Sequence, residues 1–128
     1  GGAYPMAAVV VRACVESAKD LGLPEAAIPL SNAVVLLATA PKSNSAHDAY
    51  AAAKADFLAG LGQEIPVHLQ SPLFKGYKYP HDYPDHYVKQ QYLPDDLAGT
   101  KYYEYGPNKL EQAAKAYWDA IKGRTAKK

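Results

Sequence analysis

Alanine and tyrosine are segregated along this 128-residue chain, and the segregation restricts the folds that it can form. Of the 23 alanines, 17 lie before residue 60, whereas eight of the 11 tyrosines lie between residues 77 and 105. Alanine has the highest helix propensity, and its small side chain lets helices pack closely. The first half is therefore predicted to form packed helices, and the second half a different, aromatic-rich part of the same single domain.

Proline and glycine divide residues 1–62 into three predicted helices. These helices are predicted over residues 5–21, 29–40 and 45–61. The stretch of residues 33–38 is apolar on all sides, which predicts that it is deeply buried. Ser43 or Ser45 is predicted to cap the third helix, because Ser45 and Asp48 have the spacing of a capping box. This helix carries an apolar stripe at positions 46, 50, 53, 57 and 61.

The helical periodicity fades over residues 63–107, a tyrosine- and proline-rich segment that we call the strap. Its prolines break any long helix, and its aromatic content is too high for a disordered linker. We expect an ordered, irregular segment with one or two short helical turns, one of them near residues 85–92. A fourth helix is predicted over residues 108–123, capped by Asn108 with Glu111 three positions later, before a basic tail at 124–128. The predicted fold class is all-α, with about four main helices.

Several classes of function are excluded or disfavoured by the sequence. None of the nine glycines is followed by lysine, so the phosphate-binding loop of an ATPase is missing and we expect no catalysis and no cofactor in this chain. The single cysteine, Cys14, permits neither an intrachain disulfide nor a zinc site made of thiolates. The apolar stretches are shorter than the roughly 18 residues that a membrane helix needs.

Four residues that can bind metals occur within residues 81–86, namely His81, Asp82, Asp85 and His86. The two histidines are five positions apart and Pro84 lies between them, so they do not share a helical face. Hydrogen bonds to the backbone and to tyrosine hydroxyls are the alternative role for these side chains. We therefore predict no metal site.

The tyrosine cluster has three possible roles. The rings could pack the irregular backbone onto the helices, form a protein interface, or stack on single-stranded bases beside lysines that contact phosphates. The formal charge is −2 over residues 1–74 and +3 over residues 75–128. A basic end can add affinity for DNA through the release of counterions. The candidate nucleic-acid contacts there are Lys122, Arg124, Lys127 and Lys128.

Three ordered motifs carry a resemblance to a known family. They are Pro41-Lys42-Ser43-Asn44, then Tyr79-Pro80-His81-Asp82-Tyr83-Pro84, then Gln90-Gln91-Tyr92. With these motifs the chain resembles the C-terminal region of the MgsA (replication-associated recombination protein A) family of bacterial AAA+ ATPases, to which the Werner-helicase-interacting protein of eukaryotes is related. The motif residues are the family-motif and interaction positions that the resemblance implies. Only residues 70–76 separate His68-Leu69 from Tyr77, where the family run that contains the second motif begins, and this connection is shorter than is usual in the family.

The resemblance implies a clamp-loader-like helical domain whose role is homotetramerisation. The AAA+ core, with its ATP and Mg, would lie outside this chain. The chain starts at Gly1-Gly2 and has a single methionine, Met6, which fits that expectation. The resemblance further implies a parent that is a DNA-dependent ATPase of replication, recombination and repair, cytoplasmic and nucleoid-associated, with single-stranded DNA-binding protein as a partner. A single-stranded DNA-binding module is the alternative function for this chain.

Overall fold

A computed structural model describes the backbone of residues 1–125 and the side chains of residues 1–124. The predicted contacts Lys127 and Lys128 lie outside this part of the chain. Within it the fold contains helices and no strand, so the all-α prediction is confirmed. The four α-helices are α1 (Met6–Leu21), α2 (Ala27–Thr39), α3 (Ser45–Leu58) and α4 (Lys109–Thr125). None of the described helices is long and apolar enough to cross a membrane.

The ends of the helices differ from the predicted ends for local reasons. α2 begins two residues before Pro29, because a proline in the first turn of a helix has no N–H that needs an acceptor. The α3 cap is Asn44, and the predicted capping box of Ser45 and Asp48 is wrong. The Asn44 side chain donates a hydrogen bond of 2.9 Å to Asp48. α4 continues past its predicted end at Gly123, which has helical neighbours on both sides.

α1 and α2 pack against each other along a seam of mostly small side chains. In α1 the less exposed positions recur at Ala7, Val11, Cys14 and Ala18, and in α2 at Pro29, Ala33 and Leu36. These intervals of three and four residues define one stripe on each helix. Cys14 is half-buried within this stripe. Alanines on both sides allow the two helices to approach closely, but they contribute little apolar surface to a core.

The strap (residues 63–107) contains four short 3₁₀ turns. These turns are Val67–Leu69, Pro80–Asp82, Pro84–His86 and Asp95–Leu97. The predicted turn near residues 85–92 is limited to Pro84–His86, because Tyr87 returns to extended backbone. The strap packs on α4, where the Tyr87 ring meets Trp118 edge-on with centroids 5.1 Å apart, and where Val88 and Ile121 are both buried.

The chain exposes an unusually large surface for its mass. Its accessible surface is 9685 Å². The scaling law for monomeric proteins gives about 6,600 Å² for a 13.8 kDa chain. Among the described residues no large side chain is fully buried, and the buried apolar residues are four alanines with Val88 and Ile121. This chain therefore leaves exposed about 3,000 Å² that a monomeric domain of its mass would bury.

Candidate functional site

The outer side of α2 forms an exposed apolar surface, which we call the α2 face. Its members are Ile28, Leu30, Val34, Val35 and Leu37. Ile28 is 70% exposed and Val34 is 66% exposed. The predicted deep burial of residues 33–38 is thus wrong for the chain by itself, since of these residues only Ala33 is buried. The reason is that α1 covers a single stripe of a helix that carries no charged residue on any side.

Part of the predicted α3 stripe is exposed as well. Its Ala53 is half-buried, as are Ala49 and Asp56, whereas Tyr50 and Phe57 of the stripe are exposed. Asp56 faces the strap because its carboxylate accepts a 2.7 Å hydrogen bond from the Tyr102 hydroxyl. That contact raises the pKa of Tyr102. Exposed apolar side chains are therefore left on the other side of the helix, which we call the α3 face. They are Tyr50, Phe57 and Leu58.

The first family motif reaches the beginning of α4 through Glu111. Pro41, Lys42 and Asn44 are exposed, whereas Ser43 is half-buried. Glu111 accepts hydrogen bonds from the Tyr103 hydroxyl and from the Asn108 amide. These bonds and one from Ser43, with that of Tyr103 the largest cause, lower the pKa of Glu111 to about 2.

Asn108 caps α4, as the sequence predicted. The Asn108 side-chain oxygen accepts the Glu111 backbone N–H at 2.9 Å. Glu111 is only 2% exposed, and Gly2 also lies against its carboxylate. The spacing of Asn108 and Glu111 predicts a local capping role for Glu111. It does not predict the contacts of Glu111 with the N-terminal residues, the α2–α3 connection and the strap. No local pattern signals those contacts.

The third motif holds the strap in its fold. The Gln90 side-chain amide donates to the Lys78 carbonyl at 2.7 Å and accepts the Lys78 N–H at 3.1 Å. Gln90 also donates to the hydroxyl of Tyr92. Gln91 donates to the Leu93 carbonyl and to the Asp95 carboxylate. Gln90 and Gln91 thus make their contacts within the chain, where they hold neighbouring segments of the strap together.

The second motif lies on the surface. Tyr79, His81 and His86 form a continuous series that we call the ring row, with successive ring centroids 5.0 and 4.9 Å apart. All three side chains are exposed. The structure brings the two histidines together, but residues 1–124 hold no group of three or more His, Cys, Asp or Glu side chains placed to bind a metal ion. Asp85 instead lies 3.1 Å from Arg124, and the sequence around neither residue predicts this ion pair.

Most of the clustered tyrosines serve the fold. Tyr102 and Tyr103 donate to carboxylates, Tyr87 packs on Trp118, and Tyr92 accepts from Gln90. Tyr79 and Tyr83 keep exposed rings. Beside them lies a cavity of about 560 Å³. It is lined by Tyr83, Pro84, Asp85, Tyr87, Val88, Lys89 and Arg124.

The Lys122 contact candidate is also close to this surface. Its ammonium group lies 5.5 Å from the centroid of the Trp118 ring and 3.6 Å from the Asp119 carboxylate. Arg124 is held by Asp85 from the strap, 39 positions earlier. The fold thus places Arg124 in the same cavity lining as Tyr83, and Lys122 over the indole that the Tyr87 ring contacts.

Comparisons with known proteins agree with the family motifs. Residues 1–122 match the family model described as the C-terminal region of MgsA AAA+ ATPases. The chain is 42% identical over 134 aligned positions to replication-associated recombination protein A of Bacillus subtilis, an alignment that covers 97% of this chain and 32% of the relative.

Other relatives match a similar part of the chain. An uncharacterized AAA domain-containing protein of Mycobacterium tuberculosis is 42% identical, and replication-associated recombination protein A of Escherichia coli K12 is 34% identical. Each of these alignments covers 80% of this chain and 25% of the relative. The chain therefore spans between a quarter and a third of the length of these relatives. Its all-α structure, its three motifs and the matched family model together show that the chain belongs to the family of MgsA AAA+ ATPase C-terminal domains.

Proposed function

We propose that this domain is a homotetramerisation domain of a DNA-dependent AAA+ ATPase and performs no catalysis itself. The observation that carries the proposal is the α2 face, a set of five large aliphatic side chains on a helix without charge. Exposed apolar patches of this kind mark interaction surfaces in soluble proteins. A second copy of the chain has the same apolar side chains on its α2 face, so the two faces can pack against each other.

The size of the exposed surface supports stable association. Full burial of one Val, Leu or Ile side chain contributes about 1.5–3 kcal/mol. Burial of the α2 faces of two copies can therefore offset the free-energy cost of association, which is about 4–15 kcal/mol. The excess surface of about 3,000 Å² also exceeds the roughly 800 Å² that each partner buries in one standard interface. This excess is enough for more than one interface per chain.

A tetramer is favoured over a dimer because the chain has two separate apolar surfaces. Tetramers with paired two-fold axes need two different self-complementary interfaces on each subunit. The α2 face and the α3 face lie on different helices, and each exposes large apolar side chains. We assign one self-complementary contact to each face.

The parent ATPase supplies the wider function in this proposal. It carries the ATP and Mg site, acts on DNA during replication, recombination and repair, and has single-stranded DNA-binding protein as a partner in the bacterial cytoplasm, near the nucleoid. The support is the family membership and the similarity to replication-associated recombination protein A of Bacillus subtilis and of Escherichia coli.

Light scattering coupled to gel filtration at micromolar concentration tests the assembly. We expect four times the 13.8 kDa mass of one chain. V34E combined with L37E should leave a dimer, because it places charges in one interface, and F57E should leave a dimer through the other. All three changes together should give a monomer. L73E is the matched control, since Leu73 is 84% exposed on the strap, and it should keep the tetramer. A monomeric mass for the unchanged chain would contradict the proposal.

A further inference from the structure

α3 carries a single lysine, and this lysine lies in the middle of the exposed apolar face. Lys54 lies four residues after Tyr50 and three residues before Phe57, so the three side chains share one side of the helix. Lys54 is exposed and forms no ion pair within residues 1–124. Association through the α3 face would bring this cation into the interface, where a charge needs an acidic partner.

A cavity of about 660 Å³ opens just beyond the end of α3. Its lining begins at Gly60, two residues after α3 ends at Leu58, and continues along the strap. Ile65 and Val67 supply apolar walls and are themselves 65% and 63% exposed. Pockets of this size that combine apolar walls with a few polar groups are typical binding sites.

The charged lining of the cavity is acidic. Glu64, Asp95 and Asp96 contribute to it, and of the residues that the structure describes no lysine or arginine does. Asp96 accepts the Gly62 N–H at 3.0 Å, and Asp95 accepts from the Gln91 amide at 2.8 Å. Each bond holds one oxygen of a carboxylate in place and leaves the second oxygen as an acceptor for a further donor. The cavity therefore complements a cation on an apolar stem, which is the chemistry of lysine.

The end of α3 adds to the negative field at this cavity. The C-terminus of a helix carries roughly half an elementary negative charge, which basic side chains of the last turn often compensate. The last turn of α3 has no basic residue. The neutral Gln63 amide donates instead to the carbonyls of Phe57 and Leu61. A cation supplied by another molecule would thus be favoured here.

A two-fold contact through the α3 face brings Lys54 to this cavity. In a self-complementary contact between antiparallel helices, residues before the centre on one copy meet residues after the centre on the other. With the centre at Phe57, Lys54 lies three residues before it, and the cavity begins three residues after it at Gly60. The same arrangement places each lysine beside the cavity of the opposite copy.

We propose that Lys54 of a second copy occupies this acidic cavity, so that two equivalent contacts fix the register of an antiparallel pair of α3 helices. The inference rests on the proposed self-association and identifies the residues that determine its geometry. The ammonium group contacts Glu64, Asp95 and Asp96, and the lysine stem packs on the apolar walls. Apolar side chains alone would permit several registers, whereas paired charges favour one. A basic peptide of another protein is the competing occupant.

The chain that carries V34E and L37E isolates this contact, because its dimer is held through the α3 face alone. Sedimentation equilibrium gives the monomer–dimer dissociation constant. Lys54→Glu should raise this constant by about tenfold or more, because it places like charges together at both contacts of the dimer. Lys75→Glu is the matched control, since it makes the same change of charge at an exposed strap position and should leave the constant unchanged. Circular dichroism verifies that each variant keeps its helices.

An exchange of charges provides a second, independent readout. Glu64→Lys alone should also weaken the dimer, because it would face Lys54 of the other copy. Lys54→Glu combined with Glu64→Lys restores opposite charges and should give a tighter dimer than either single change. A misfolded variant would not produce this recovery.

The results separate this inference from the proposed assembly. The inference alone is overturned if the V34E/L37E dimer forms and Lys54→Glu behaves like Lys75→Glu, or if the effects of the two exchanged charges simply add. Weakening by Glu64→Lys without weakening by Lys54→Glu would assign the cavity to another cation and overturn it as well. A monomeric V34E/L37E chain would instead contradict the proposed α3 contact itself.

Discussion

The Tyr103 hydroxyl donates a hydrogen bond to the Glu111 carboxylate, which is buried where α4 begins. Tyr103 belongs to the strap, so this contact joins the irregular half of the chain to its last helix. Asn108 donates to the second carboxylate oxygen, and Gly2 lies against the same group. A single carboxylate thus joins the N-terminal residues and the strap to the beginning of α4.

Acid should weaken the fold through Glu111. Its pKa is lowered from 4.5 to about 2 in the folded chain, mainly by the Tyr103 hydrogen bond. The ionised form is therefore stabilised by folding, and this contribution is complete above about pH 4.5. It is lost as the pH falls from 4.5 toward 2. Urea unfolding at neutral pH and at about pH 3 measures the difference.

Glu111→Gln isolates this carboxylate. The variant keeps the size of the side chain and removes its ionisation, so it should be less stable than the unchanged chain at neutral pH. The difference between the two should shrink as the pH falls. Glu104→Gln removes an exposed carboxylate from the strap and should leave the acid dependence in place. Equal acid dependence in the unchanged chain and in Glu111→Gln would contradict the prediction.

Tyr102→Phe should loosen the strap from α3. The change removes the 2.7 Å hydrogen bond to Asp56 and keeps the ring. A hydrogen bond to a charged group stabilises the folded chain, so its loss should lower the free energy of unfolding. The free energy of unfolding, combined with Asp56→Asn in a double-mutant cycle, gives the coupling between the two side chains. Tyr50→Phe is the control, and a coupling near zero would contradict the contact.

Gln90→Ala should release the strap near Lys78. The Gln90 amide satisfies both the N–H and the carbonyl of Lys78, so its removal leaves two backbone groups without these partners. A loss of about 1–2 kcal/mol is expected. Gln90→Glu should not restore the stability, because a carboxylate cannot donate to the Lys78 carbonyl. Hydrogen exchange of the Lys78 amide reports the local effect, and unchanged protection in Gln90→Ala would refute it.

Alanine should have opposite effects at two glycines. A β-carbon at Gly2 would lie 2.6 Å from the Tyr103 hydroxyl and 2.9 Å from Glu111, so Gly2→Ala should cost about 1–3 kcal/mol. At Gly123, within α4, a β-carbon would meet nothing within 4 Å. Gly123→Ala should therefore stabilise the chain by about 0.5–1 kcal/mol. Thermal unfolding of both variants measures the signs, and a destabilised Gly123→Ala would contradict the second expectation.

Local signals in the sequence predicted the helices well. Proline, glycine and capping residues act within one turn of where they occur, so α1 and the Asn108 cap of α4 could be identified from neighbours in the sequence. The same principle explains the error at α2, where Pro29 was expected to begin the helix although a proline fits within its first turn.

Contacts between distant residues could not be predicted from periodicity. Asp56 and Tyr102 are 46 positions apart, and their hydrogen bond holds Asp56 against the strap. The predicted stripe of α3 extends too far, because the helix ends at Leu58, and its Tyr50 and Phe57 are exposed whereas its Ala53 is half-buried. The ion pair of Asp85 with Arg124 was missed for the same reason, since nothing near either residue indicates the other. The exposed apolar residues of α2 show that the apolar stretch of residues 33–38 is not by itself evidence of burial within the chain.

The absence of charge on α2 determines how the proposed assembly should respond to salt. Added salt strengthens apolar contacts when the salt is excluded from protein surfaces, as sulfate is. A rise in the sulfate concentration should therefore tighten the proposed contact through α2, whereas a contact built on exposed ion pairs would weaken.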